Sequence, residues 1–379
     1  MKTKTAFNRS ILTSFVALSA LLSGSLEAGA ITDHTWTGNG PDGRWSRPGN
    51  WENNSPPPAN SHVNLYFPAG RPKKASVNDR PGLTVHNLVV NDFGMSFSGP
   101  GLLNTLKLDG TVRLETASLT FLSNLEINLV GDTTVELRSD LVGVGTWSES
   151  SITFESKILG AGAFTVEGDA TAPKDRAGDA FFTAKASNTY LGATVFEKGV
   201  QVRLDNYDVI PAPAPWFFWE IGAVSVPTDL TIKTGADVRL DGREQIGNTA
   251  DVLVLENSRL NLWRNSDTIG SFTCSGRLQM EFLNVSNYGR LIVNGAVTIT
   301  DHAEGSWGGF TSDQLYMTSA AGFVPPNNSI FTIIENNGFD AATEPFFGWN
   351  EGDGLNLGGK PFHLSYTGGT GNDLTVENP

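Results

Sequence analysis

The sequence predicts an all-β protein, a right-handed parallel β-helix (β-solenoid) with capping segments at its two ends, and three observations lead there. Short apolar or alternating stretches recur with Gly, Asn or Asp between them, as strands separated by tight turns do. These strand-turn-strand units return at roughly 20 to 30 residues, the period of stacked repeats. No amphipathic helical periodicity follows residue 30. Composition agrees, since 42 Gly, 19 Pro, 39% hydrophobic and only 17% charged residues suit a turn-rich chain with a core and exclude a disordered one.

At the N-terminus, Lys2, Lys4 and Arg9 precede an apolar stretch from Ile11 to Leu22, and small residues lead to Ala28-Gly29-Ala30. This pattern predicts a secretory signal peptide over residues 1–30, cleaved after Ala30. Thr13, Ser14 and Ser19 interrupt the stretch, which is too short and polar for a permanent span of about 20 residues. The mature chain is therefore expected to lack a transmembrane segment and to be exported to the medium, the cell surface or the periplasm. Cleavage also removes more basic than acidic residues, so the formal charge of −14 becomes more negative. That balance excludes nucleic acid as a partner.

Residues 31–70 carry Trp36, Trp45 and Trp51 and are expected to cap the first layer. Residues 71–325 hold the solenoid. Leu83 to Val90, Thr111 to Leu114, Leu125 to Leu129 and Thr134 to Leu137 read as strands, and the texture continues to Val297 to Ile299. Within it, "LTIKTGADVRL" and "LIVNGAVTIT" each give strand, Gly-containing turn and strand. Such a unit cannot bury its apolar face alone, whereas stacking at about 4.8 Å per layer pairs every backbone and makes one continuous core. A β-sandwich is the competing architecture. Residues 326–379 are expected to cap the other end, because an uncovered strand edge would template further pairing.

One segment has a more specific pattern: Leu159-Gly160-Ala161-Gly162-Ala163-Phe164-Thr165-Val166, then Asn188-Thr189-Tyr190-Leu191-Gly192-Ala193-Thr194-Val195, then Lys198-Gly199-Val200. Over residues 159–204 this resembles the autotransporter-associated β-strand repeat of passenger-like secreted bacterial proteins, with Ala193 where the repeat usually has Gly and a charged insertion from Lys174 to Asp179. The Trp-rich opening, and an ending with Phe331-Thr332-Ile333-Ile334 and Gly368-Gly369-Thr370-Gly371-Asn372-Asp373, are similar to the flanks of the same proteins. The resemblance implies a passenger-like β-helix that is released, periplasmic or held at the surface by other molecules. It supplies no catalytic residues.

The chemistry-bearing residues are few. Cys274 is the single cysteine, so no intrachain disulfide framework exists, and its strand-like surroundings suit a buried small hydrophobe. The histidines His34, His62, His86, His302 and His363 are scattered without ligand spacing, so neither a metal nor another cofactor is expected. The Gly368 to Val376 stretch is similar to a calcium-binding nonapeptide, but a single copy favours a tight turn before the last strand.

Two places carry functional hypotheses. Pro211 to Pro215 leads into Trp216-Phe217-Phe218-Trp219, where Trp216 and Trp219 are candidate glycan-stacking residues; the competing reading packs these rings into the core or under a loop. Arg239-Leu240-Asp241-Gly242-Arg243-Glu244 places carboxylates and Arg where solenoid lyases and hydrolases put them, but a solvated turn with two ion pairs is the favoured reading of these residues. The expected function is a structural or adhesive surface protein without catalytic activity. The alternative is a carbohydrate-binding or carbohydrate-active solenoid, and an extracellular polysaccharide or another cell-surface component is the expected partner.

Overall fold

The computed structural model describes residues 30–101, 104–141, 147–169, 178–211, 218–300 and 313–378. Met1–Ala30 and Ile31–Pro379 are separate units; the expected signal segment lies outside the described residues, apart from Ala30, and the elements below all belong to the second unit. The chain is all-β, with helix among the described residues confined to the short 3-10 turns Pro48–Asn50 and Glu52–Asn54. No helix among the described residues is long and apolar enough to cross a membrane.

Among the described residues, three large sheets of fourteen, eleven and six strands hold the structure. In the largest, Val63 pairs with Val85 and Val85 with Leu108. Further along it, Val112, Val135, Val166, Phe196, Ile232, Val254, Cys274 and Ile299 follow one another in register, all in parallel strands. Partners lie roughly 20 to 36 residues apart, about one repeat unit. A parallel pair requires a crossover, and here the crossover holds a strand of the second sheet: Met95–Ser98 lies between Thr84–Val90 and Asn104–Glu115. Many-stranded parallel sheets alternating along the chain in this way are compatible with a β-helix.

Burial alternates along the strands, as in Met95–Ser98, Ser118–Phe121 and Ser151–Phe154, so one face of each sheet turns to the core. In the eleven-stranded sheet this produces a column, Phe97, Phe121, Phe154 and Phe182, that continues as Leu204 and Leu240. Each of these side chains is at most 2% exposed, and burying a Phe or Leu stabilises by about 1.5–3 kcal/mol. At the N-terminal end the column meets the tryptophans. Trp36 packs edge-on against Trp51 at 5.1 Å between centroids, and Trp45 against Phe97 at 5.6 Å. Their indole N–H groups are satisfied by Lys73 O at 3.3 Å, Ser76 Oγ and Trp45 O at 2.8 Å for Trp36, Trp45 and Trp51 respectively.

The repeat-like segment forms the strands Ile158–Gly160, Phe164–Gly168, Gly178–Phe182, Thr189–Tyr190, Thr194–Phe196 and Val200–Leu204. Asn188 bonds backbone groups remote in sequence. Its Oδ1 accepts from Ile158 N at 2.9 Å and its Nδ2 donates to Ser225 O at 2.8 Å, so one buried amide joins the layers on either side. Gly160 adopts φ +117° and a Cβ there would lie 2.3 Å from Leu129 O, so close stacking of layers as well as cornering requires glycine. Of the charged insertion expected from Lys174 to Asp179, residues 174–177 lie outside the described residues, while Gly178 and Asp179 belong to the strand Gly178–Phe182, with Asp179 opposite Ser151 and Gln201.

The C-terminal segment changes pairing. Ile330–Asn336 is parallel to Arg290–Val293 and antiparallel to Asp373–Glu377, which continues antiparallel to Lys360–Gly368 and that to Gly354–Leu357.

Candidate functional site

The outer face of the eleven-stranded sheet collects arginines. In register across adjacent strands, Phe181 is followed by Arg203, Arg239, Asn261, Gln279 and Tyr316. The neighbouring column runs Asp179, Gln201, Asp237, Arg259 and Arg277. They lie on the face opposite the core because Val202, Leu204, Val238, Leu240 and Leu260, the alternate positions, fill it, and on that outer face Asn261 and Arg277 are themselves covered. Arg203 thus sits directly opposite Arg239, and Arg259 opposite Arg277, an arrangement that costs energy between like charges.

Aromatic rings and carboxylates hold these cations. The Arg203 guanidinium lies 5.5 Å over Phe181, Arg277 5.5 Å over Tyr316, and Arg239 and Arg264 4.0 and 5.0 Å from the Trp263 ring, within range of cation–π attraction. Asp237 receives Arg259 Nε at 2.7 Å, and Glu281 receives Arg264 Nε at 2.5 Å. Burial and the nearby Glu149 push the Asp179 carboxyl above its ordinary range, against the pull of Arg203. Burial, reinforced by Arg259, lowers the pKa of Arg277, which is covered and donates from Nε to Asp313 O at 3.1 Å.

Beside this face lies a cleft of about 330 Å³ lined by Arg243, Arg264, Arg290, Ser266, Ser286, Tyr288 and Val285. Arg290 is shared with Glu335 at 3.4 Å. Arg243 is exposed, and among the described residues it forms no salt bridge within 4 Å. The cleft therefore combines guanidinium, hydroxyl and phenol groups, which suits an oxygen-rich anionic ligand.

The residues singled out in the sequence fall as follows. Trp216 lies outside the described residues. Trp219 is on Phe218–Gly222, which pairs antiparallel with Tyr207–Pro211, Trp219 opposite Ile210. Arg239 Nε is 2.5 Å from Asp241 Oδ1, a charge contact not aligned as a hydrogen bond. Glu244 Oε1 accepts from Thr268 Oγ1 at 3.2 Å, so Glu244 is held by a hydroxyl whereas Asp241 is held by a cation. Cys274 is fully buried, its thiol directed at Gly276 O and its pKa pushed up to about 12 by burial. In the Gly-rich C-terminal turn, Asp373 Oδ1 accepts from Asn336 N at 2.9 Å and Oδ2 from Thr370 N at 3.2 Å, the bonding of a turn carboxylate.

Two features escaped the sequence reading. The arginine face was hidden because strand register decides which side chains turn outward. The histidines are not all scattered: His62 and His86 meet at Asp109, with His62 Nε2 2.8 Å from Oδ2 and His86 Nδ1 3.3 Å from Oδ1. The signal for this was a spacing of about one repeat from each residue to the next.

Neither a known family model nor a curated protein matches this chain.

Proposed function

We propose that the chain is an exported, passenger-like right-handed β-helix with a structural or adhesive role, and that it holds an acidic polysaccharide against its arginine-lined face. The observation carrying this reading is the distribution of positive charge. Beyond residue 200 the arginines are Arg203, Arg239, Arg243, Arg259, Arg264, Arg277 and Arg290, and each belongs to the outward columns or the adjoining cleft. On a chain with formal charge −14 this concentration favours an anion there. A carboxylated or sulfated polymer relieves the repulsion between Arg203 and Arg239 and offers planar carboxylates to guanidinium forks. The parallel pairing through the fourteen-stranded sheet and the alternating burial support the β-helix, and residues 1–30 support export.

The test is affinity electrophoresis through gels containing polygalacturonate, alginate or neutral dextran. Retardation by the acidic polymers alone, weakened by salt and lost in the Arg203→Ala/Arg239→Ala double variant but not in Arg113→Ala, is the expected result. Equal migration in every gel overturns the reading. Release of reducing or unsaturated ends from a retained polymer favours the carbohydrate-active alternative, with Asp241 and Glu244 as the residues to replace by their amides.

A further inference from the structure

We propose that His62, His86 and Asp109 form a binding site for a divalent transition-metal ion of the zinc type, a staple across three adjacent strands of the fourteen-stranded sheet. The inference rests on side-chain geometry and is independent of the arginine face.

The three residues come from consecutive strands, His62–Phe67, Thr84–Val90 and Asn104–Glu115, and irregular pairing brings them together. The register shifts between Val63 and Asn64 relative to Val85 and Asn87, leaving His86 as the extra residue. It shifts again between Val85 and Asn87 relative to Leu108 and Thr111, placing Asp109 and Gly110 against His86. Bulges re-aim side chains in this manner. Gly110 completes the arrangement, since a Cβ at that position would lie 2.8 Å from His86 Nδ1 and 2.3 Å from His86 O. A larger residue there would displace the imidazole.

One donor atom from each residue lies within 4.8 Å of the others. The imidazole rings are 5.6 Å apart and nearly perpendicular, at 89°. A tetrahedral ion about 2.0–2.2 Å from each ligand would hold the donor atoms about 3.3–3.6 Å apart. The His–Asp separations of 2.8 and 3.3 Å and the 4.8 Å bound bracket that requirement, so small rotations of these half-buried side chains suffice. Side-chain exposures of 28%, 41% and 22% for His62, His86 and Asp109 leave a fourth position open to water. Two imidazoles with one carboxylate select zinc, cobalt, nickel or copper over the hard ions calcium and magnesium. The single cysteine, Cys274, leaves no intrachain disulfide to tie layers together, and a metal would supply such a link.

The test uses the purified full chain, stripped with chelator and titrated with zinc by calorimetry and with cobalt by visible absorption. The expected result is one equivalent bound, a four-coordinate cobalt spectrum, no competition from calcium, and a higher unfolding temperature with zinc. His86→Ala and Asp109→Asn are each expected to weaken binding by at least about 100-fold and to abolish the thermal shift, while His363→Ala leaves both unchanged. The more conservative Asp109→Asn keeps a comparable side-chain volume, so its circular dichroism checks that loss of metal is not loss of fold. Absence of stoichiometric binding in the wild-type chain, or binding unaffected by the His86 and Asp109 replacements, overturns the proposal and leaves a hydrogen-bonded His-Asp-His cluster.

Discussion

Phe121 and Phe154, directly opposite each other in adjacent parallel strands, stack with ring centroids 5.6 Å apart and planes within 12°. Phe154 also meets Phe182 at 5.1 Å and Phe164 at 5.7 Å, so it joins rings from the eleven- and fourteen-stranded sheets. Removing it leaves a void that these rigid neighbours cannot easily fill. Phe154→Ala is expected to cost about 3–5 kcal/mol, and Phe154→Leu considerably less. Urea unfolding monitored by circular dichroism measures both. A loss below about 1 kcal/mol for the alanine variant would mean that the ring column is not closely packed.

Asn188 tests the polar side of the same stacking. Its amide is 2% exposed and serves Ile158 N–H and Ser225 C=O together. Asn188→Ala leaves a donor and an acceptor buried without it, at about 1–3 kcal/mol each. The replacement is expected to destabilise by about 2–5 kcal/mol, whereas Asn248→Ala, at an exposed position, should fall within about 0.5 kcal/mol. Equal effects at the two positions would show that Asn188 does not join the layers.

These two residues also mark what could be read before folding. The alternation in "SLTF" and "SITF" identifies strands and an inward Phe in each, because period two survives whatever the strand pairs with. Pairing itself was not legible. Layers differ in length, as the hairpin between Tyr207–Pro211 and Phe218–Gly222 illustrates, so no constant spacing aligns Arg203 with Arg239. The bulges that gather His62, His86 and Asp109 break the period at the very residues concerned. Asn188 was legible as part of the repeat-like pattern but not as a link between layers, since its partners are backbone groups of Ile158 and Ser225, remote in sequence.

Cys274 provides a chemical probe of the core. Burial raises its thiol pKa to about 12 and leaves the side chain without exposure, so the nucleophilic thiolate is scarce and inaccessible at once. Iodoacetamide at pH 8 is expected to leave the native protein unmodified and to alkylate one site fully in denaturant, as read by intact mass. Prompt modification without denaturant would place Cys274 at the surface and shift the register of Ser271–Cys274.

Asp267 gives the pH dependence. Its side chain is buried in a corner where Gln245 N donates at 2.6 Å and Ile246 N at 3.3 Å. Burial dominates and pushes the carboxyl well above the usual carboxylate range; Glu244 adds repulsion, and the backbone donors only partly oppose the rise. In the unfolded chain the group titrates near about 3.9. Between that value and the raised native one, the folded state binds more protons than the unfolded state, so the slope of stability against pH is negative. The contribution is fully present below the unfolded value and is lost as pH rises through the native one. Asp267→Asn cannot ionise, keeps a carbonyl for the backbone donors, and is expected to flatten this part of the curve. General repulsion in an acidic chain also weakens stability as pH rises, but it acts on both proteins, so the difference between their unfolding free energies isolates Asp267. Measured by urea denaturation from pH 4 to 8, a difference that grows with pH in favour of Asp267→Asn is the expected outcome; a constant difference would mean that the backbone donors hold Asp267 ionised throughout.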